Sequence, residues 1–301
     1  MRSLLFIPGD SVRKLDKGLG AGADVLLVDL EDSVAPSGKA AARQVAAAFL
    51  AEARAQASRP RLFVRVNGLE TGLADADLDG VMEAGPDGIM LPKTVGGPDV
   101  SHLGSKLAVR EAAFGLEDGA TRIVAIATES ARGVFALGTL AGASRRLSGI
   151  TWGGEDLSAD IGAEANRRED GSYADPYRLA RALTLLAAAA AEVDAIDSVY
   201  TNFRDLDGLA AECRHARRDG FVAKMAIHPA QVPVINEAFT PSADAVAWAH
   251  SVIDAFAAQP DAGVVGMKGE MLDRPHLKRA QRLVRRMADA GRRPANPPSD
   301  G

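Results

Sequence analysis

The stretch Val25-Leu26-Leu27-Val28-Asp29-Leu30-Glu31-Asp32 decides how this chain folds. It is a continuous apolar run that ends abruptly in acids. An alanine-rich segment with helical periodicity, 39–57, follows it, and then a second apolar run, 62–66. The same alternation extends in both directions. Strand-like runs are read at 4–7, 25–29, 62–66, 88–91, 123–126, 147–152, 195–199 and 222–227, with helical stretches such as 39–57, 75–84, 134–143, 177–193 and 206–218 between them. Strands that are apolar throughout and separated by helices belong to a parallel sheet buried on both faces. Eight such units match a TIM (β/α)8 barrel in size. A doubly wound sheet is the alternative, but the first strand is followed by Pro8-Gly9-Asp10, a turn and not a dinucleotide fingerprint.

Beyond the eighth strand the pattern changes. Pro241-Ser242 opens a helix expected to run to about residue 259, with Ser242 as N-cap. A glycine-rich loop at 263–269 and a helix over 275–290 follow. The expected organisation is a catalytic barrel over 1–240, a C-terminal helical lid extension over 241–291 and a disordered tail over 292–301.

Composition narrows the function. Of 301 residues, 47% are hydrophobic and 25% charged, which suits a globular protein with a sizeable core, and the net charge of −5 argues against nucleic acid as the main partner. Cys213 is the only cysteine, so an intrachain disulfide and a thiolate zinc cluster are both excluded, and a structural role is expected for it. No secretory leader is recognisable, and the most apolar helical stretch, 177–193, contains Arg178 and Arg181. A soluble cytoplasmic protein without membrane contact is expected.

In such a barrel the chemistry sits at the C-terminal ends of the strands. The residues placed there are Asp29, Glu31 and Asp32 after strand two, Arg65 and Asn67 on strand three, and Pro92-Lys93 after strand four. Thr128-Glu129-Ser130 follows strand five, Gly153-Gly154-Glu155-Asp156 strand six, and His228-Pro229-Ala230-Gln231 strand eight. Acids crowded at one mouth repel unless protons or a cation compensate them. Hard oxygen ligands without cysteine favour Mg²⁺ or Mn²⁺ over zinc. Helix capping is the alternative role for Glu129 and Asp156, and for His228 a structural hydrogen bond before proline. Arg65 lies within an apolar strand, where an unpaired guanidinium is costly, and a ligand anion would satisfy it.

The stretches Leu5-Phe6-Ile7-Pro8-Gly9, Val28-Asp29-Leu30-Glu31-Asp32-Ser33-Val34-Ala35-Pro36, Arg65-Val66-Asn67-Gly68, Gly154-Glu155-Asp156-Leu157 and Ile227-His228-Pro229-Ala230-Gln231 resemble the HpcH/HpaI aldolase and citrate lyase β-subunit family. Within it the chain looks closest to the malyl-CoA and citramalyl-CoA lyases. The resemblance implies a TIM barrel assembled as a homotrimer or a dimer of trimers, with one Mg²⁺ per site held by Glu129 and Asp156. It implies that Arg65 binds substrate together with Glu129, Glu155 and Asp156, and that Phe6, Lys17, Ala226 and Ile227 border the coenzyme A moiety. Met271-Leu272-Asp273-Arg274-Pro275-His276 looks like a lid motif that gives an aspartate to a neighbouring subunit. The family commonly has Ile-Glu-Thr where this chain has Thr128-Glu129-Ser130, so the acid is kept and only the pocket shape is in question.

The activity expected is cleavage or formation of a short 3-hydroxyacyl-CoA, yielding acetyl-CoA or propionyl-CoA and a 2-oxo acid. The ion would act as Lewis acid on the oxygen that becomes the product carbonyl, and Arg65 would neutralise the enolate oxygen. Asp273 would exchange the proton at the enolate carbon, with Asp29, Glu31 and Asp32 outside the ion's direct ligands, holding its waters. The competing readings are a citryl-CoA or citryl-ACP lyase β-type subunit, a malyl-CoA thioesterase, a CoA-independent pyruvate aldolase and a non-catalytic binding protein.

Overall fold

The computed structural model describes residues 1–267 and 269–291, so the tail expected at 292–301 lies outside the described residues. Eight parallel strands form a closed barrel in chain order: β1 (Ser3–Pro8), β2 (Val25–Asp29), β3 (Arg61–Arg65), β4 (Gly88–Leu91), β5 (Arg122–Ile126), β6 (Leu147–Thr151), β7 (Asp194–Asp197) and β8 (Ala223–Ala226). The helices between and after them are α1 (Val12–Leu19), α2 (Lys39–Arg54), α3 (Ala74–Val81), α4 (Gly97–Ala113), α5 (Ala131–Ala136), α6 (Gly154–Asp160), α7 (Asp175–Ala190), α8 (Leu206–Asp219) and α9 (Gln231–Phe239). The TIM barrel expected from the apolar runs is therefore the fold.

Strand alternation builds two cores from one set of runs. Leu4, Leu27, Phe63, Met90, Val124, Ile196 and Met225 fill the barrel interior. Their strand neighbours Leu5, Leu26, Val28, Leu62, Val64 and Ile89 pack outward against the helices. Each such side chain contributes about 1.5–3 kcal/mol when fully buried. The interior is closely fitted at Gly88, where an added Cβ would lie 2.4 Å from the Phe63 ring.

Helices α1, α4, α6 and α9 are not among the stretches with the clearest helical periodicity, and α4 shows why. It starts Gly97-Pro98 and contains Gly104, residues that read as a turn. The helix expected at 134–143 is the short α5 followed by a 3-10 turn at Leu137–Leu140. Ser130 caps it early by accepting the Gly133 N–H, and Gly133 and Gly138 weaken its continuation.

The extension after the barrel has its own small core of Ala249, Val252, Phe256, Val265, Leu272 and Ala280. Helix α10 (Ala243–Ala257) is capped by Ser242, as its sequence implies. The glycine-rich loop expected at 263–269 is instead an antiparallel hairpin, β9 (Val264–Met267) and β10 (Glu270–Asp273). Gly269, at φ 84°, lies in its connection. Val265 and Leu272, opposite one another, bury into the extension's core and give the hairpin its reason to form. Helix α11 (Arg274–Gly291) completes the segment. Its Arg286 lines a small cavity with Met1, Arg2, Asp24, Asp194 and Val222, at the N-terminal ends of the strands. Part of α11 thus lies against the end of the barrel opposite the mouth. No helix among the described residues is long and apolar enough to cross a membrane.

Candidate active site

The top layer of the barrel interior is polar where the lower layers are apolar. The period of two that points Leu4, Leu27 and Phe63 inward also points Phe6, Asp29 and Arg65 inward, one step nearer the mouth. Asp29 and Arg65 are register partners on neighbouring strands. The Arg65 guanidinium donates from Nε to Asp29 Oδ1 and from Nη2 to Asp29 Oδ2, both at 2.7 Å. Its third nitrogen lies 2.9 Å from Glu31 Oε2, and its flat face covers the Phe6 ring at 4.8 Å. Arg65 is therefore balanced by carboxylates of its own chain, where the sequence alone suggested a ligand anion. Burial alone would raise the Asp29 pKa, but the hydrogen bonds and charge of Arg65 outweigh it and hold that carboxyl below its usual range.

Asp29 also fixes the acidic loop after β2, accepting the Glu31 N–H at 2.9 Å and the Ser33 N–H at 3.2 Å. Two further groups hold the same loop. Lys39 donates to the carbonyls of Leu30 and Glu31, and the Asn67 amide donates to the Leu30 carbonyl while Asp77 accepts from Asn67. Burial raises the Glu31 pKa and the neighbouring Asp32 adds to this, against the opposing pull of Arg65 and Lys93.

Glu129, in the loop after β5, and Asp156, in α6, lie near enough at the mouth to act on each other's charge, with Lys93 between them. The capping alternative does not apply to either. Ser130 is the N-cap of α5, and α6 begins after Gly153, leaving Asp156 inside its first turn. Glu129 is buried, and its pKa is pushed up to about 8, by burial first and then by the charges of Asp156 and Glu31, although a backbone hydrogen bond from Lys93 opposes the rise. Gly153 is required for this approach, since a Cβ there would lie 2.6 Å from Glu129 Cγ. Trp152, just before it, is anchored by its indole N–H to Asp197 at 2.9 Å, and Asp197 is paired in turn with the buried Lys224 at 2.8 Å.

Lys93 is the residue that sequence reasoning placed at the mouth without a role. Its backbone N–H donates to Glu129 Oε2 and its ammonium pairs with Glu31, with Asp32 and Asp156 each 3.8 Å away. Burial would lower its pKa, but the Glu31 hydrogen bond and charge win and raise it. Its backbone is left-handed, φ 52°, which no periodicity argument reveals.

The remaining expected residues fall into two groups. Phe6, Ala226 and Ile227 share one edge of the mouth, because β1 and β8 are neighbours with Leu5 opposite Ala226. Lys17 is exposed on the last turn of α1 nearby in the chain. Glu155 is turned aside to Asn166, whose amide it accepts at 2.7 Å, and is not part of the charge cluster. Asp273 lies at the end of β10 and pairs with His276 at 2.5 Å; that hydrogen bond first of all lowers its pKa. No ion pair between Asp273 and the mouth occurs among the described residues of this single chain. His228 stacks on Phe203 at 4.9 Å between ring centroids, and Nδ1 accepts the Ala230 N–H, a structural assignment. Cys213 is buried, and burial pushes its thiol pKa up to about 12, in keeping with the inert role expected.

The donor set fits Mg²⁺ in one particular way. Among the described residues no three His, Cys, Asp or Glu side chains are grouped as a ready-made cage. Mg²⁺ does not require one, being held by one or two carboxylates with waters and substrate oxygens completing its octahedron. Glu129 supplies the test: a buried carboxyl whose neighbours resist its ionisation is one that a divalent ion would stabilise.

The chain is similar to several known proteins. Residues 2–229 match the HpcH/HpaI aldolase/citrate lyase family. The mitochondrial citramalyl-CoA lyase of Rattus norvegicus is 33% identical, over 94% of this chain and 85% of that protein. The (3S)-malyl-CoA thioesterase of Cereibacter sphaeroides is 35% identical, over 94% of this chain and 93% of that one. The crystal structure of CitE from Mycobacterium tuberculosis in complex with magnesium, acetoacetate and coenzyme A superposes with a TM-score of 0.74 at 33% identity, covering 95% of this chain and 98% of that one.

Proposed function

Because the chain belongs to the HpcH/HpaI aldolase/citrate lyase family, whose members include carbon–carbon oxo-acid lyases, we propose that it cleaves or forms short 3-hydroxyacyl-CoA thioesters. Malyl-CoA and citramalyl-CoA represent the substrate class, with acetyl-CoA or propionyl-CoA and a 2-oxo acid as products. The observation that carries this reading is the placement at one mouth of buried Glu129, Asp156 and the preorganised guanidinium of Arg65. These two residues would hold Mg²⁺ or Mn²⁺, which supplies Lewis-acid polarisation of the oxygen that becomes the product carbonyl.

The chain's own residues account for the rest. Arg65, fixed by Asp29 and Glu31, presents a permanent, preorganised positive charge beside the thioester, where enolate charge develops on cleavage. Its orientation is set before substrate arrives, so no reorganisation is needed at the moment of reaction. Asp29, Glu31 and Asp32 keep that guanidinium and the acidic loop in place. Phe6, Ala226 and Ile227 offer an edge for the coenzyme A arm, with Lys17 within reach of its phosphates.

The proton at the enolate carbon is assigned to Asp273 of a neighbouring subunit in a homotrimer or dimer of trimers. Support comes from the placement of Arg286 of α11 at the far end of the barrel and from the pairing of Asp273 with His276, and with no mouth residue among those described. A cytoplasmic location goes with this reading.

The test is incubation of the pure protein with acetyl-CoA and glyoxylate, pyruvate or oxaloacetate in turn, with and without chelator. Formation of a hydroxyacyl-CoA only when the ion is present supports the proposal, and its absence with every acceptor contradicts it. A thioesterase working through the same site is the second reading, favoured by the 35% identical Cereibacter sphaeroides relative.

A further inference from the structure

We infer that Lys93 is a resident counter-ion of the metal site: its ammonium holds Glu31, Asp32 and Asp156 until a divalent ion arrives, and must yield Asp156 to it. This rests on the reading of Glu129 and Asp156 as ion ligands. Three observations carry the inference. One residue reaches both ligands by separate groups, the backbone N–H on Glu129 and the ammonium 3.8 Å from Asp156. The same ammonium pairs with Glu31 and lies 3.8 Å from Asp32, so three carboxylates converge on it. The backbone conformation is a left-handed one, φ 52°, shared by only one other non-glycine residue, Glu192, among those described.

The backbone conformation is informative because lysine has no advantage there. Glycine adopts it without strain and would keep the N–H that meets Glu129. What lysine adds at this position is the ammonium alone, so the strain is held for the sake of the charge. A fixed positive charge a few ångströms from an ion ligand opposes a second cation at that ligand. Ion binding is therefore weaker than Glu129 and Asp156 would give unaided, which leaves the ion exchangeable. When the ion takes Asp156, the ammonium retains Glu31 and Asp32. Lys93 is thus a positioning residue that also sets the ion's affinity.

The experiment is a calorimetric titration of Mn²⁺ into the metal-free full-length protein, without substrate, for wild type, Lys93→Gly, Lys93→Gln and Lys93→Arg. Thermal unfolding of each variant checks the fold, and Lys93→Gly is the variant that relieves the backbone. The expected result is tighter Mn²⁺ binding, by about tenfold or more, in Lys93→Gly and Lys93→Gln, with Lys93→Arg close to wild type. Wild type that binds Mn²⁺ while Lys93→Gly and Lys93→Gln bind it equally or more weakly overturns the inference alone. Wild type that binds no ion overturns the metal reading beneath it, and the inference with it.

Discussion

Arg65 and Asp29 face each other across β2 and β3 through two parallel hydrogen bonds of 2.7 Å, Nε to Oδ1 and Nη2 to Oδ2. A planar fork on a planar carboxylate is a contact that lysine cannot copy. Arg65→Lys is expected to lower kcat/KM by about tenfold or more, equivalent to about 1.4 kcal/mol of transition-state stabilisation. Asp29→Asn is expected to lower it in the same direction, since it loosens the same guanidinium. The double variant should lose less than the sum of the two. Full additivity in steady-state kinetics would mean that Asp29 does not act through Arg65.

The raised pKa of Glu129 makes two pH dependences, with opposite consequences. Its pKa is about 8 in the folded, ion-free protein against an ordinary value of 4.5, so the folded state holds a proton that the unfolded chain has lost between these values. The contribution of Glu129 to stability is therefore fully present below about pH 4.5 and is lost as pH rises towards 8. Thermal unfolding of the ion-free protein should show this fall, and Glu129→Gln should flatten it.

Ion binding runs the other way. A divalent ion must displace the Glu129 proton, so Mg²⁺ or Mn²⁺ affinity should rise with pH and level off near 8. Titration at pH 7 in buffers of different ionisation enthalpy should record release of up to about one proton per ion. Glu129→Gln should abolish both the release and most of the turnover while the barrel stays folded. Wild-type turnover of that variant in chelated buffer would remove Glu129 from the ion site.

Gly153 gives a steric test of the same ligand. A Cβ there would sit 2.6 Å from Glu129 Cγ, so Gly153→Ala must displace that side chain. The overpacking cost is about 1–3 kcal/mol. It should appear as weaker Mn²⁺ binding with only a modest change in melting temperature. Unchanged Mn²⁺ affinity would show that Glu129 moves without consequence for the ion.

The barrel was legible because its strands are coded by composition alone. Runs such as 25–28 and 89–91 are apolar throughout, and acids and glycines mark where each one starts or stops. Arg65, Glu129 and Asp156 were legible as residues just past or within such runs. Their partners were not. That Asp29, and not a ligand, balances Arg65 follows from strand register, which brings two residues 36 positions apart into cross-strand contact. Lys93 was hidden for a different reason, since a left-handed backbone and a side chain reaching both the loop after β2 and the first turn of α6 leave no periodic trace. The hairpin at β9 and β10 was missed because its glycines read as a loop, while the burial of Val265 and Leu272 is decided by the extension's own core.

Asp273 pairs with His276 in its own chain and precedes a helix whose Arg286 lies at the far end of the barrel. If it serves a neighbour, inactive Asp273→Asn and inactive Glu129→Gln should restore part of the activity when their subunits are exchanged. Each mixed oligomer would hold some sites with an intact ion pair of ligands and an intact lid. Demonstrated exchange without recovery would place the lid over its own barrel, and full activity of Asp273→Asn alone would remove the residue from proton transfer.

The most direct test of carbon–carbon lyase activity is the fate of malyl-CoA in D₂O with Mg²⁺, followed by mass spectrometry. Cleavage of the carbon–carbon bond releases glyoxylate and an enolate that takes its proton from solvent-exchanged groups. The expected product is acetyl-CoA carrying one deuterium in its methyl group, formed only when Mg²⁺ is present. Malate and free coenzyme A, with no deuterium on carbon and no glyoxylate, would contradict it and identify a thioesterase.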